Sequence, residues 1–221
     1  GSVFCAMTPE LVIFDCDGVL VDTETATNTV IADFLAQYGL TIPTDEIITL
    51  FSGGTMASVG VEAAKRGAQL PEGWLDAIYE EMFDALRQGV KVIEGVENLI
   101  DRLTAQGIAI AIASNGPMQK MEITLRPSGL WTRFESHIYS GHQHGSKPKP
   151  DMLFKIMADA GVTPAQTVMI DDMPSGCRAA QAAGVRCFGY VADGDPDRLR
   201  GTDAVNVTSM QTIADLLDLP G

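Results

Sequence analysis

At 221 residues with 46% hydrophobic content, the chain is long enough for one substantial core plus a small accessory unit, as in an ordinary globular protein. A balance of 15 basic against 29 acidic residues gives a net charge of −14, which argues against nucleic acid and anionic membranes as partners. No apolar run reaches the roughly 18 residues needed to cross a bilayer. No signal-peptide pattern is visible, so a cytoplasmic protein is expected, with Cys5, Cys16, Cys177 and Cys187 reduced.

In chain order, Gly1-Ser2 reads as an appended remnant and Met7 as a native start. The run Leu11-Val12-Ile13-Phe14 has no polar alternation, as suits a parallel strand buried on both faces. From 22 to 91 the pattern is helical, near 25–38, 44–51, 55–66 and 72–87, with no convincing strand; Pro43, Gly53-Gly54 and Pro71 punctuate it. Strand-like runs return at 108–112, 168–170 and 187–190, separated by helical patterns at 95–106, 117–127, 150–160 and 175–183. Strands alternating with helices predict an α/β fold with a Rossmann-like parallel sheet. The expected division is a core of residues 1–21 and 92–221, with a helical cap of residues 22–91 inserted after the first strand.

Three predicted strands run into reactive side chains: Asp15, Ser114 and the pair Asp171-Asp172. Open α/β sheets bind ligands beyond the carboxyl ends of their strands, so separate segments deliver these groups to one edge. In Asp15-Cys16-Asp17-Gly18, the first carboxylate sits at a strand terminus, and Gly18 permits a sharp turn that lets Asp17 act as a proton donor. Two carboxylates this close repel unless a cation or shared proton intervenes. Cys16 reads as a buried strand-end thiol. Ser114-Asn115-Gly116-Pro117 offers a hydroxyl and main-chain amides to an anion, with Pro117 at the first position of a helix. Ser146-Lys147-Pro148-Lys149-Pro150-Asp151 is a stiffened loop that fixes a lysine, though its chemistry does not say which one. Adjacent Asp171 and Asp172 make a hard oxygen site suited to Mg²⁺.

Together D-x-D-G, S-N-G, S-K-P-x-P-D and D-D-x-x-x-G-x-x-A-A-x-A-A-G resemble the haloacid dehalogenase-like superfamily, from Leu11 to about Leu217. The segment 22–91 resembles the helical cap of its β-phosphoglucomutase-like branch. The resemblance implies a nucleophile at Asp15, an acid/base at Asp17 and a phosphate-binding hydroxyl at Ser114. It implies further phosphate contacts from Gly18, Asn115 and Gly116, and a neutralising cation at Lys147. It also implies Mg²⁺ held by Asp15, the Asp17 carbonyl and Asp171 or Asp172. The expected activity is hydrolysis of a small phosphorylated metabolite, a sugar or sugar-acid phosphate, by a monomer or small homo-oligomer. The rival readings are a phosphomutase and a catalytically silent binding protein, and the second is disfavoured because no core group is missing. A dehalogenase is disfavoured by the acid at position 17. In the cap loop Phe51-Ser52-Gly53-Gly54-Thr55-Met56 no residue carries charge, and Thr55 is expected to hydrogen-bond a substrate hydroxyl or carboxylate. Lys65, Arg66, Arg87 and Lys91 are the cap cations that keep a mutase in play. His142-x-His144 reads as a loop between Gly141 and Gly145, not a metal pair, and Asp22 as a hinge group or helix cap.

Overall fold

The computed structural model describes residues 8–221, so the readings on Gly1-Ser2, Cys5 and Met7 lie outside the described residues. In chain order, β1 (Leu11–Phe14) leads to β2 (Val21–Asp22), α1 (Glu24–Gln37), a 3₁₀ segment (Thr44–Phe51), α2 (Met56–Lys65), α3 (Trp74–Leu86) and β3 (Lys91–Val92). There follow α4 (Val96–Ala105), β4 (Ala109–Ser114), α5 (Met118–Leu125), α6 (Leu130–Phe134), β5 (Ile138–Ser140), α7 (Gly141–His144) and α8 (Asp151–Ala160). The chain ends with β6 (Thr167–Asp171), α9 (Pro174–Ala183), β7 (Arg186–Tyr190), β8 (Val205–Val207) and α10 (Met210–Leu216).

A six-stranded parallel sheet in the order β5-β4-β1-β6-β7-β8 forms the centre. The expected α/β architecture is present. The unbroken apolar run of β1 has a direct cause. Val12 and Phe14 face one layer, with Leu99, Leu103, Met121 and Leu125 of α4 and α5. Leu11 and Ile13 face the other, with Leu153 and Ile156 of α8 and Ala180 of α9. Each such side chain contributes about 1.5–3 kcal/mol by leaving water, so neither face tolerates a polar residue.

Sheet order then places the site. The chain winds from β1 outward to β4 and β5, and afterwards resumes on the opposite side with β6, β7 and β8. The strand at the switch point is β1, and a crevice opens beyond its carboxyl end. Phe14 is level with Ile112 on one side and Ile170 on the other. Asp15, Ser114 and Asp171 therefore reach the same sheet edge.

The helices between 24 and 86 bury their own cluster, including Ile31, Phe34, Leu35, Ile47, Leu50, Val59, Ile78 and Met82. Both connections to these helices pass through a two-stranded antiparallel ribbon, in which Val21 pairs with Val92 and Asp22 with Lys91. This ribbon corrects the reading of 22–91 as a stretch with no convincing strand, at its two ends. It has two residues per strand, too few to show alternation. The stretch 44–51 is 3₁₀ rather than α-helical, since Pro43 fixes its entry and Gly53-Gly54 follow its end. Two further corrections are local. Pro117 caps α5 from outside instead of occupying its first turn. His142 and His144 lie in the short helix α7, not in a loop.

Candidate active site

Asp15 follows β1 directly, and its main-chain N–H donates to the Ile170 carbonyl at 2.9 Å, which extends the sheet into the crevice. Lys147 is buried and spends its ammonium on three acceptors. They are Asp15 Oδ1 at 3.0 Å, Asp171 Oδ2 at 2.8 Å and the Ala113 carbonyl at 2.8 Å. The structure thus chooses between the two lysines of the proline-stiffened loop. Burial alone would push the Lys147 ammonium down, but Asp15 and Asp171 more than compensate and raise it.

The two adjacent aspartates differ. Asp171 is engaged on both oxygens, since its Oδ1 accepts from the Met173 N–H at 2.9 Å while Lys147 takes Oδ2. Asp172 Oδ1 is buried without a partner. Gly18, at φ +81°, leaves the space that Asp172 fills, because a Cβ there would lie 2.0 Å from Asp172 Oδ2. Gly176 does the same for Asp171, where a Cβ would lie 1.7 Å from Oδ2.

Asp15, Asp171 and Asp172 each bring one carboxylate oxygen within 4.8 Å of the others. Burial pushes the Asp15 carboxyl up to about 7, helped by the Asp171 charge and opposed by Lys147. Burial and the Asp15 charge likewise push Asp172 well up. One lysine is too little for two buried acids and a third half-buried beside them, whose Oδ1 is orphaned. This donor set fits a hard divalent cation.

Ser114 is buried, and its Oγ accepts from the Gly116 N–H at 3.0 Å, leaving the hydroxyl proton for an anion. Ser140 secures the same turn by donating to the Gly116 carbonyl at 2.6 Å. Asn115 is occupied differently from a simple phosphate ligand. Its Oδ1 accepts from the Lys147 N–H at 2.8 Å, while Nδ2 donates to the Lys147 carbonyl at 2.9 Å and the Gly54 carbonyl at 2.7 Å. Its side chain clamps the lysine loop and the 53–55 loop to one point. Thr55 caps α2 by accepting from the Ser58 N–H at 3.1 Å, and it lines the same cavity of about 520 Å³ as Asp15, Asp17 and Ser114. Of Lys65, Arg66, Arg87 and Lys91, Lys91 lines that cavity; Lys65 and Arg87 pair with Glu62 and Asp84, and Arg66 donates to Thr49.

A family profile described as haloacid dehalogenase-like hydrolase matches residues 12–190, which spans β1 through β7 and every strand end just described. The chain is a haloacid dehalogenase-like hydrolase. It is similar to the 6-phosphogluconate phosphatase of Escherichia coli (strain K12), with 26% identity over 187 residues and 83% of each chain covered. A haloacid dehalogenase-like protein of unknown function from Agrobacterium tumefaciens superposes with a TM-score of 0.81 at 31% identity, covering 95% of this chain and 97% of that one. A HAD-family hydrolase from Deinococcus radiodurans R1, solved with phosphate and sodium, gives 0.74 at 30% identity, with 96% and 98% covered.

Sequence reasoning passed over two groups in this hydrolase. Thr23 donates its hydroxyl to Asp17 Oδ1 at 2.8 Å, and Lys120 donates to Asp17 Oδ2 at 3.1 Å. Lys120 had a usable signal. It shares the buried face of α5 with Met121, Thr124 and Leu125, and a lysine inside an apolar stripe calls for a partner. Thr23 had none, since a threonine before a helix reads as an ordinary cap.

Proposed function

We propose that this hydrolase is a magnesium-dependent phosphatase that cleaves a small phosphorylated metabolite, a sugar or sugar-acid phosphate, through a phosphoaspartate on Asp15. The observation that carries this reading is the contact of Asp15 with Lys147 at 3.0 Å, beside Asp171 and Asp172 at the switch-point edge. The phosphatase name of the Escherichia coli relative supports the substrate class.

In the first step an Asp15 oxygen attacks phosphorus while the ester P–O bond breaks, and Asp17 passes its proton to the departing alkoxide. In the second, Asp17 removes a proton from water as that oxygen attacks the phosphoaspartate, releasing inorganic phosphate and restoring Asp15. Ser114 and the main chain of the 114–116 turn hold the phosphoryl oxygens, and Lys147 balances the charge of Asp15. Asp15, Asp172 and the Asp17 carbonyl would hold Mg²⁺, with Asp171 in support through Lys147. When bound, the ion lowers the repulsion between the carboxylate nucleophile and the phosphate. The helices of 22–91 act as a cap over a core of 1–21 and 92–221, excluding water and presenting Thr55 to the substrate.

Hydrolysis is favoured over mutation because a mutase needs a cationic grip on a second phosphate, and arginine suits that task best. Among the described residues Arg198 is the arginine that lines the cavity, and it comes from outside 22–91 with its guanidinium already paired with Asp193. The discriminating experiment supplies β-glucose 1-phosphate with its bisphosphate activator and follows glucose 6-phosphate and inorganic phosphate separately. A parallel screen measures phosphate release from sugar phosphates, sugar-acid phosphates and nucleotides. Slow or absent isomerisation beside clear hydrolysis of some ester is the expected result; fast glucose 6-phosphate formation with little free phosphate overturns it. Lys147→Ala is expected to lower turnover roughly 10²–10³-fold, as for loss of a charge-stabilising donor. It also leaves Asp15 and Asp171 buried and uncompensated, a cost of about 3 kcal/mol in urea unfolding. A variant with unchanged turnover would remove Lys147 from the reaction.

A further inference from the structure

We infer that Lys120 is a positioning residue for Asp17, holding its carboxylate in the orientation from which it gives and takes the proton. The inference rests on the phosphatase reading, in which Asp17 is the acid/base. Its ground is geometric. Lys120 projects from the buried face of α5 into the cavity wall, and its Nζ meets Asp17 Oδ2 at 3.1 Å. Thr23 holds the other oxygen at 2.8 Å, so each oxygen of the carboxylate has its own donor and the plane of the group is fixed. Among the described residues Lys120 is the lysine that pairs with Asp17, while Lys147 is spent on Asp15, Asp171 and the Ala113 carbonyl.

The 114–116 turn lies beside this side chain. A Cβ on Gly116 would stand 3.4 Å from Lys120 Cδ, 3.4 Å from Ser114 Oγ and 4.0 Å from Asp17 Oδ2. A Cβ there would meet these groups only at ordinary van der Waals distance, so the turn and the lysine stem lie side by side in the cavity wall. Burial pushes the Lys120 ammonium down, and the Asp17 charge overcomes this and raises it. A lysine needed for packing alone would be replaceable by an apolar residue of similar length. One that binds the phosphate directly would act equally on every ester.

A leaving-group comparison separates these roles. Phenyl phosphate departs as a basic phenoxide that needs a proton, whereas 2,4-dinitrophenyl phosphate departs as a stable anion that does not. Since kcat/KM reports steps up to the first irreversible one, Lys120→Met is expected to lower it roughly 10–10²-fold for phenyl phosphate. For 2,4-dinitrophenyl phosphate the change is expected to stay within about threefold. Lys120→Arg, which restores a cation, is expected to recover most of the loss. In an Asp17→Asn background Lys120→Met is expected to add nothing, because the two residues act as one unit. Equal losses on both esters, no loss on either, or additive effects would overturn the inference. Should Lys120→Met fail to fold by near-ultraviolet circular dichroism, Lys120→Gln takes its place in the same comparison. Asp17→Asn alone is the control for the underlying reading. If that variant shows no leaving-group dependence, the acid role of Asp17 fails; if it does and Lys120→Met does not, only the positioning role fails.

Discussion

Asp15→Asn is expected to abolish phosphate release while leaving the fold intact. The amide matches the carboxylate in shape, so β1 and its packing layers are undisturbed. Its oxygen is a poor nucleophile, and attack through it gives no acyl phosphate. Stability should change little. The substitution removes one partner of Lys147, but Asp171 and the Ala113 carbonyl still hold the ammonium. It also removes one of three crowded acids, and the ionised form of Asp15 was already disfavoured by burial. The checks are turnover at saturating substrate, circular dichroism, and acid quench of the wild type to trap a phosphoryl adduct on Asp15. Wild-type activity in Asp15→Asn would end the phosphoaspartate mechanism.

The second large effect concerns the ion. Excess EDTA is expected to eliminate activity, and added Mg²⁺ to restore it, because a chain of net charge −14 otherwise repels its anionic substrate. Binding should also register without catalysis. An ion that binds only the folded state stabilises it by about 2.7 kcal/mol when free ion stands at 100 times its dissociation constant, read as a rise in Tm. Asp172→Asn is expected to remove that rise, since it neutralises the one acidic side chain of the cluster whose buried oxygen lacks a protein partner. The same substitution should make the chelated protein more stable than chelated wild type, because it relieves repulsion from Asp15 and Asp171. Asp171→Asn should instead make the chelated protein less stable, because both Asp171 oxygens accept, from Lys147 and from the Met173 N–H, and the amide nitrogen would face one of these donors. Full activity in chelator, with metal absence confirmed by elemental analysis, would sink the metal role.

The legible parts of this protein were those written as strong local contrasts. A four-residue apolar run that stops on aspartate marks both a doubly covered strand and its reactive end, and the same contrast located Ser114 and Asp171. The edge strands Ile138–Ser140 and Val205–Val207 escaped because each has three residues and a polar one among them. Helices α6 and α10 were missed for a related reason: at five and seven residues they are too short to show a full apolar stripe. At the site, residue identity gave the chemistry but not the division of labour. Asp171 and Asp172 are neighbours of one type, and only the partners of each oxygen separate a lysine-bound acid from an orphaned one. Lys120 and Asn115 were harder, since each matters through a group far away in sequence, Asp17 for the first and Gly54 for the second.

The Asn115 clamp has an energetic consequence. Its Nδ2–H group is shared between the Lys147 and Gly54 carbonyls, so lifting the 53–55 loop breaks one of those bonds and leaves the other in place. The exposed carbonyl then finds water, and the net cost of such an exchange is only about 0.5–1.5 kcal/mol. That is between one and three times the thermal energy. A fastening this weak adds little to the cost of lifting the 53–55 loop, while the bonds that hold the Lys147 loop to Asn115 stay made.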